Sequence, residues 1–231
     1  IVVEGVLEAS PDRDLALTTG YIVVRGTLRI GTEGAPFTRN AMVTLNGAST
    51  QSIEGMGSRG ILVSGGTLDL HGVGPSVAWT QINAHVADNA TSLTLKTPVS
   101  WKQGDNIIIA PTDFYGMVET QKIALATNVN NTTSVPLAQP VTQARWGLLQ
   151  HVTNSGMSLT PDPSFVPPAT PFPTVLDERA EVGNLTRNIV IQGANDSEWA
   201  ANGFGAQVMA MGPGAKMRLD GIEMRRVGQS G

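Results

Sequence analysis

The sequence predicts an all-β protein: a right-handed parallel β-helix with a small β subdomain inserted into it. Three observations carry that expectation: a strand motif repeated around glycine, a scarcity of charge, and a repeat that is lost and later returns. Ile1-Val2-Val3-Glu4-Gly5-Val6-Leu7-Glu8-Ala9 is echoed by Ile22-Val23-Val24-Arg25-Gly26-Thr27-Leu28-Arg29-Ile30. It returns, one glycine longer, as Ile61-Leu62-Val63-Ser64-Gly65-Gly66-Thr67-Leu68-Asp69-Leu70. A weaker copy, Met42-Val43-Thr44-Leu45-Asn46-Gly47, lies between the last two. The marker residues Gly5, Gly26, Gly47 and Gly66 thus recur about every 20 residues, the spacing of a solenoid whose strands stack on copies of themselves. β-Branched triplets without a 3.6-residue period exclude an amphipathic helix here.

Composition agrees. Glycine occurs 26 times and charged residues make up 15% of the chain, below the roughly 25% of ordinary domains. Such a chain is poor material for solvated helices and good material for closely spaced strands and tight turns. A formal net charge of −4 offers no basic surface for nucleic acid or an anionic membrane. With no cysteine, disulfides and thiol chemistry are excluded, and no apolar run approaches the ~18 residues of a membrane span. The chain opens inside one strand pattern and closes just after another, so it is expected to belong to a larger polypeptide that carries its address signals elsewhere.

Taken in order, residues 1–75 are predicted to be the first rungs. Alternation puts Leu28 with Ile30, and Leu68 with Leu70, on the inner face, while Arg29, Asp69 and His71 face outward. From Pro75 the register is lost. Thr91-Ser92-Leu93-Thr94-Leu95, Asn106-Ile107-Ile108-Ile109, Lys122-Ile123-Ala124-Leu125 and Ser134-Val135-Pro136-Leu137 are short strands between turn residues. Residues 76–152 are accordingly predicted to be the inserted subdomain. Prolines crowd residues 153–178, which reads as an extended loop, and the β-helix is expected to resume over 179–231. Residues 176–182 are the one stretch with the signals of a helical turn.

Gly55-Met56-Gly57-Ser58-Arg59-Gly60 fits the spacing of a dinucleotide-binding loop. That loop needs a strand before it and a helix after it. Here a strand follows, so a turn is the better reading and a nucleotide-dependent enzyme is not expected. Three scattered histidines give no zinc spacing.

Several stretches resemble the eight-glycine (G-eight) domain and the segment that follows it, a family that includes hyaluronidases and fibrocystin-like receptors. They are Gly26-Thr27-Leu28-Arg29-Ile30-Gly31-Thr32-Glu33, then Gly57 to Gly72, Trp79-Thr80, Trp101-Lys102-Gln103-Gly104-Asp105, Ala110-Pro111-Thr112-Asp113-Phe114, and Arg179-Ala180-Glu181-Val182-Gly183-Asn184-Leu185-Thr186-Arg187-Asn188-Ile189. The resemblance implies a secreted or cell-surface protein, a β-helix, and a link to polysaccharides of the hyaluronan type.

The candidate site follows from residue chemistry. Asp69 and His71 lie two apart on an outward strand edge, where a carboxylate can orient an imidazole or share a metal with it. Arg179 with Glu181, and Glu223 with Arg225, have the same spacing. Such a face could grip an acidic polysaccharide directly or through Ca2+. Asp69, His71, Glu181 and Glu223 are the candidate catalytic residues, with Asp113 a further carboxylate. Arg179, Arg225 and Trp79 are the candidate substrate-binding residues, Trp79 as a stacking surface. A hydrolase would need two carboxylates, and a lyase a base beside a cation. The residues leave open hydrolase, lyase, or a non-catalytic structural or adhesion module. Trp101, ahead of a Gly-Asp turn, reads as a buried plug.

Overall fold

The computed structural model describes residues 1–231 except 56, 125–129, 170 and 230–231. The chain first forms β1 (Val2–Val3), β2 (Val6–Glu8), β3 (Leu15–Thr19), β4 (Tyr21–Val24), β5 (Thr27–Ile30), β6 (Ala41–Leu45), β7 (Gly60–Ser64) and β8 (Thr67–His71). There follow β9 (Trp79–Gln81), β10 (Ser92–Val99), β11 (Asn106–Ile109), β12 (Glu119–Lys122), β13 (Thr132–Pro136), β14 (Gln150–Thr153), β15 (Gly156–Ser158), β16 (Val175–Leu176) and β17 (Glu181–Asn184). Last come β18 (Ile189–Gly193), the short helix α1 (Ser197–Asn202), β19 (Gln207–Met211), β20 (Lys216–Asp220) and β21 (Ile222–Arg225). The fold is all-β. It divides into two compact units, residues 1–74 with 187–231, and residues 75–186.

The first unit consists of three parallel sheets, ordered β1-β4-β7-β19, β2-β5-β8-β20 and β3-β6-β18-β21. Each sheet takes one strand from each successive passage of the chain, so equivalent residues stack in register. Leu28 pairs with Leu68 and Ile30 with Leu70, and all four are buried. They belong to one apolar core with Val24, Val43, Val63 and Ile191, each fully buried aliphatic side chain contributing about 1.5–3 kcal/mol. The expected inward columns are therefore observed.

Several expectations need correction. Met42 to Gly47 is not a rung of its own: β6 pairs with β3 and β18, forming the third side of the passage that begins at Tyr21. The similarity to Ile22-Val23-Val24 reflects a shared need for alternating buried residues, not equivalent position. The parallel sheets resume at Ile189 and not at residue 179, because β17 pairs antiparallel with β11 and β9 inside the second unit. Residues 176–182 make no helical turn, since both of their ends are drawn into strands. The helix lies instead at Ser197–Asn202, where Asp196 accepts a hydrogen bond from the Trp199 N–H and Gly203 closes the helix at φ 61°, as N-cap and left-handed C-cap residues do.

In the second unit all pairing is antiparallel: β10 with β13, the sheet β12-β11-β17-β9, and the sheet β15-β14-β16. Ile107 to Ile109 thus belong to no column of the first unit. β14 gathers β15 and β16 from within the proline-rich stretch, so residues 153–178 are not all loop. Predicted strand 122–125 begins where β12 ends, and Leu125 lies outside the described residues. Trp101 is buried and its indole N–H donates to the Val77 carbonyl at 2.7 Å, the plug its position suggested.

Candidate functional site

The predicted site residues fall into three separate places. On the middle strands of the first unit, Glu8, Arg29, Asp69 and Arg218 stand in register across β2, β5, β8 and β20. Charge alternates along that row. Asp69 Oδ2 is held by Arg29 at 3.3 Å, and its Oδ1 lies 3.9 Å from Arg218 and 3.1 Å from His71 Nε2. Both Asp69 and His71 are buried, against the expectation of an open, solvated face. The reason is the in-register stacking, which lays long guanidinium side chains from the adjacent strands across the short Asp69. A carboxylate spent on two cations and an imidazole is an internal tie.

Glu223 and Arg225 lie on β21, in a different parallel sheet from Asp69, and are hydrogen-bonded to each other through Arg225 Nη2 at 2.8 Å. No face of one sheet carries all the predicted residues.

The second unit holds Arg179, Glu181 and Trp79. Arg179 is buried and fully engaged: it donates to Asp177 at 2.7 and 2.8 Å and to Asn83 at 2.7 Å. Its hydrogen bonds hold the Asp177 carboxyl at about 2, below its ordinary 3.8. A carboxyl depressed in the folded state contributes stability that is complete above its ordinary value and lost as pH falls through the folded one. The wild type should therefore lose about 1 kcal/mol, discounted for solvent screening, as pH falls from about 4 to 2. Asp177→Asn should flatten that part of the acid limb in urea titrations, and an unchanged limb would show that the ion pair contributes nothing.

Glu181 and Trp79 differ from all of these. Strands β17 and β9 pair so that Glu181 faces Gln81 and Gly183 faces Trp79. Alternation then turns Val182 and Thr80 into the core and Trp79, Glu181 and Gly183 to the outer face. Trp79 is 61% exposed. The Glu181 carboxylate is exposed and joins no ion pair or hydrogen bond among the described residues. Trp79, Glu181 and Gly183 line a shallow cleft of about 180 Å³, together with Ile108 and Val118. A Cβ at Gly183 would press on Ile108 at 3.2 Å, so glycine leaves room beside the indole. Trp79 and Glu181 were legible in the sequence. Ile108, Gly183 and Val118 were not, since only the pairing of β11 with β17 and β12 brings them there.

No group of three or more His, Asp or Glu side chains suited to a metal ion occurs among the described residues.

These features define an all-β chain of stacked parallel sheets joined to an antiparallel unit with an exposed aromatic cleft. Residues 1–83 match the G8 domain family, and the chain belongs to that family. It is 33% identical to human fibrocystin-L over 86% of its length and 35% identical to mouse fibrocystin-L over 75%. It is also 29% identical over 66% of its length to the human cell surface hyaluronidase CEMIP2. The chain spans about 4% of either fibrocystin-L and 10% of the hyaluronidase. Among solved structures, the tailspike gp61 of Pseudomonas phage phi297 aligns with a TM-score of 0.31 and 10% identity, over 86% of this chain and 26% of that one. A likeness that loose carries no argument.

Proposed function

We propose that this chain is a right-handed β-helix with an inserted β subdomain, displayed outside the cell, which recognises polysaccharide at the Trp79–Glu181 cleft. The observation that carries the reading is an exposed indole beside an unpaired carboxylate: an aromatic face packs on the C–H surface of a sugar ring, and a carboxylate accepts from its hydroxyls. The hyaluronidase relative supports a polysaccharide ligand and makes a hyaluronan-like acidic polymer the first to test. Cleavage of a glycosidic bond by the usual route calls for two carboxylates flanking it. Asp69 is buried between arginines and Glu223 is bonded to Arg225, so of the three candidate catalytic carboxylates only Glu181 is unengaged, while the further carboxylate Asp113 accepts from the Tyr115 N–H in its own turn. Binding without cleavage by this chain is the reading favoured, and any depolymerase activity would reside in the larger polypeptide.

The test is calorimetric titration against hyaluronan, polygalacturonate and neutral oligosaccharides, with and without EDTA. Trp79→Ala should weaken binding at least about tenfold, equivalent to about 1.4 kcal/mol, with no change in melting temperature because the indole is exposed. EDTA should leave binding as it was. Absence of binding to every polymer, or unaltered binding by Trp79→Ala, would leave the structural or adhesion module as the better description.

A further inference from the structure

Beside the cleft lies a turn that displays apolar side chains to solvent. Phe114 is 92% exposed and Tyr115 85%, and Met117 and Val118 are exposed as well. The Phe114 and Tyr115 rings meet edge to face at 5.1 Å. Water-exposed aromatic and aliphatic groups gathered on one turn are unfavourable unless something covers them.

The turn is held in shape from below. Gly116 N–H donates to the Asp113 carbonyl at 2.9 Å, and a Cβ at Gly116 would meet Pro111 at 2.7 Å. Met117 is pinned on both sides: its N–H donates to Gln143 at 3.0 Å and its carbonyl accepts from the buried Arg145 at 3.0 Å. Display of the rings is thus built into the fold, and preorganised aromatic groups lose little entropy on binding.

Two observations say what covers them. First, Val118, at the end of the turn, is itself a wall of the Trp79 cleft, so a ligand lying there runs on toward Phe114 and Tyr115. Second, the cations around Glu181 are engaged, and the exposed Lys122 of the same sheet stands on the outer strand β12, away from the β17–β9 pair. Arg179 is tied to Asp177 and Asn83, Lys96 reaches Gln81 at 3.2 Å and lies 4.0 Å from Asp177, and Arg145 is buried against Glu119. The free charge in the cleft is the Glu181 carboxylate, which would repel a polyanion and accept from hydroxyls. Resting on the saccharide reading above, we infer that the site takes an uncharged, hydroxyl-rich glycan chain of several sugars, one ring on Trp79 and a later one on Phe114–Tyr115.

The experiment is titration of the 231-residue chain with cello-, xylo-, malto- and chito-oligosaccharides from disaccharide to hexasaccharide, and with hyaluronan oligosaccharides of matching length. Wild type should bind the hexasaccharide of at least one neutral series about tenfold more tightly than its disaccharide, and more tightly than any hyaluronan oligomer. Phe114→Ala with Tyr115→Ala should abolish the gain with length and leave disaccharide affinity unaltered, whereas Trp79→Ala should remove both. Since both rings are exposed, the double variant should keep the wild-type melting temperature. Undiminished length dependence in the double variant, with binding lost in Trp79→Ala, would overturn the extended site while sparing the cleft. Tighter binding of hyaluronan would overturn the uncharged class. No saccharide binding by wild type would overturn both readings together.

Discussion

Gly26→Ala should lower the stability of the first unit by about 3 kcal/mol or more, whereas Gly5→Ala should leave it unchanged or slightly raised. The two glycines occupy equivalent places in the repeat, so turn chemistry alone gives no reason for a difference. Their surroundings do. A Cβ on Gly26 would lie 2.0 Å from the Gly5 carbonyl oxygen and 2.5 Å from that of Glu4, both main-chain atoms. Gly66, next in the series, would meet the Gly26 carbonyl oxygen at 2.4 Å. At this corner successive passages touch backbone to backbone, and Thr27 N–H donates to Gly5 O at 2.7 Å while Thr67 N–H donates to Gly26 O at 2.8 Å. A methyl group there cannot be absorbed by a rotamer change. The passages must separate, and with them the hydrogen-bonded corner and the stacking of Leu28 on Leu68. Gly5 has nothing within 4 Å of its Cβ position, and alanine there merely restricts the unfolded chain. Urea denaturation followed by circular dichroism would report both midpoints. Equal loss in the two variants would show that the glycines serve local turns after all.

That contrast marks where the sequence was legible. The Leu28–Leu68 and Ile30–Leu70 columns could be read because their two strands are near copies, and alternation within a strand decides which side chains face in. The loss of register at Pro75 could be read for the same reason, but the return was expected too early, because Glu181–Asn184 is a strand that pairs with β11 and β9 inside the second unit. Leu15–Thr19 went unrecognised as β3, since Leu15-Ala16-Leu17-Thr18-Thr19 does not copy its neighbour β6 in the third sheet. β19, Gln207-Val208-Met209-Ala210-Met211, likewise lacks the β-branched triplet of β4. The Asp69 tie was hidden by distance along the chain: Arg218 reaches Asp69 only because β20 stacks on β8. Trp79 and Glu181 could be flagged as residue types, but nothing in their spacing shows that one strand pairing puts them on a common face with Ile108 while burying Arg179. The helix α1 went unread because Ser197–Asn202 is too short to show a helical period.

Arg59→Ala should cost about 3 kcal/mol. Arg59 is among the largest fully buried side chains of the first unit. It ties together three segments far apart in sequence: Nε donates to the Gly47 carbonyl at 2.6 Å, Nη1 to the Phe204 carbonyl at 2.9 Å, and Nη2 to the Asp196 carboxylate at 2.6 Å. Its guanidinium also lies 5.4 Å from the centre of the Phe204 ring. Alanine leaves the two carbonyls without their donor, at about 1–3 kcal/mol for each buried group that goes unsatisfied. It also removes the partner that holds the Asp196 carboxyl below its ordinary range. Because that carboxyl is depressed in the folded state, its share of the stability is present above its ordinary value and fades as pH falls through the folded one. Arg59→Ala should therefore weaken the protein more at neutral pH than in acid. Lysine should recover little, since one ammonium cannot reproduce three donors spread over a planar fork. Backbone geometry supplies a control, because Arg59 sits at φ 53°, where a non-glycine residue pays about 1–2 kcal/mol. Arg59→Gly should accordingly be about 1 kcal/mol less damaging than Arg59→Ala, although it removes one more carbon. Denaturation midpoints for the alanine, lysine and glycine variants at neutral and acid pH would decide the matter. Near-wild-type stability in Arg59→Ala would mean that water takes over its hydrogen bonds, and that the segments at Gly47, Asp196 and Phe204 are held by packing alone.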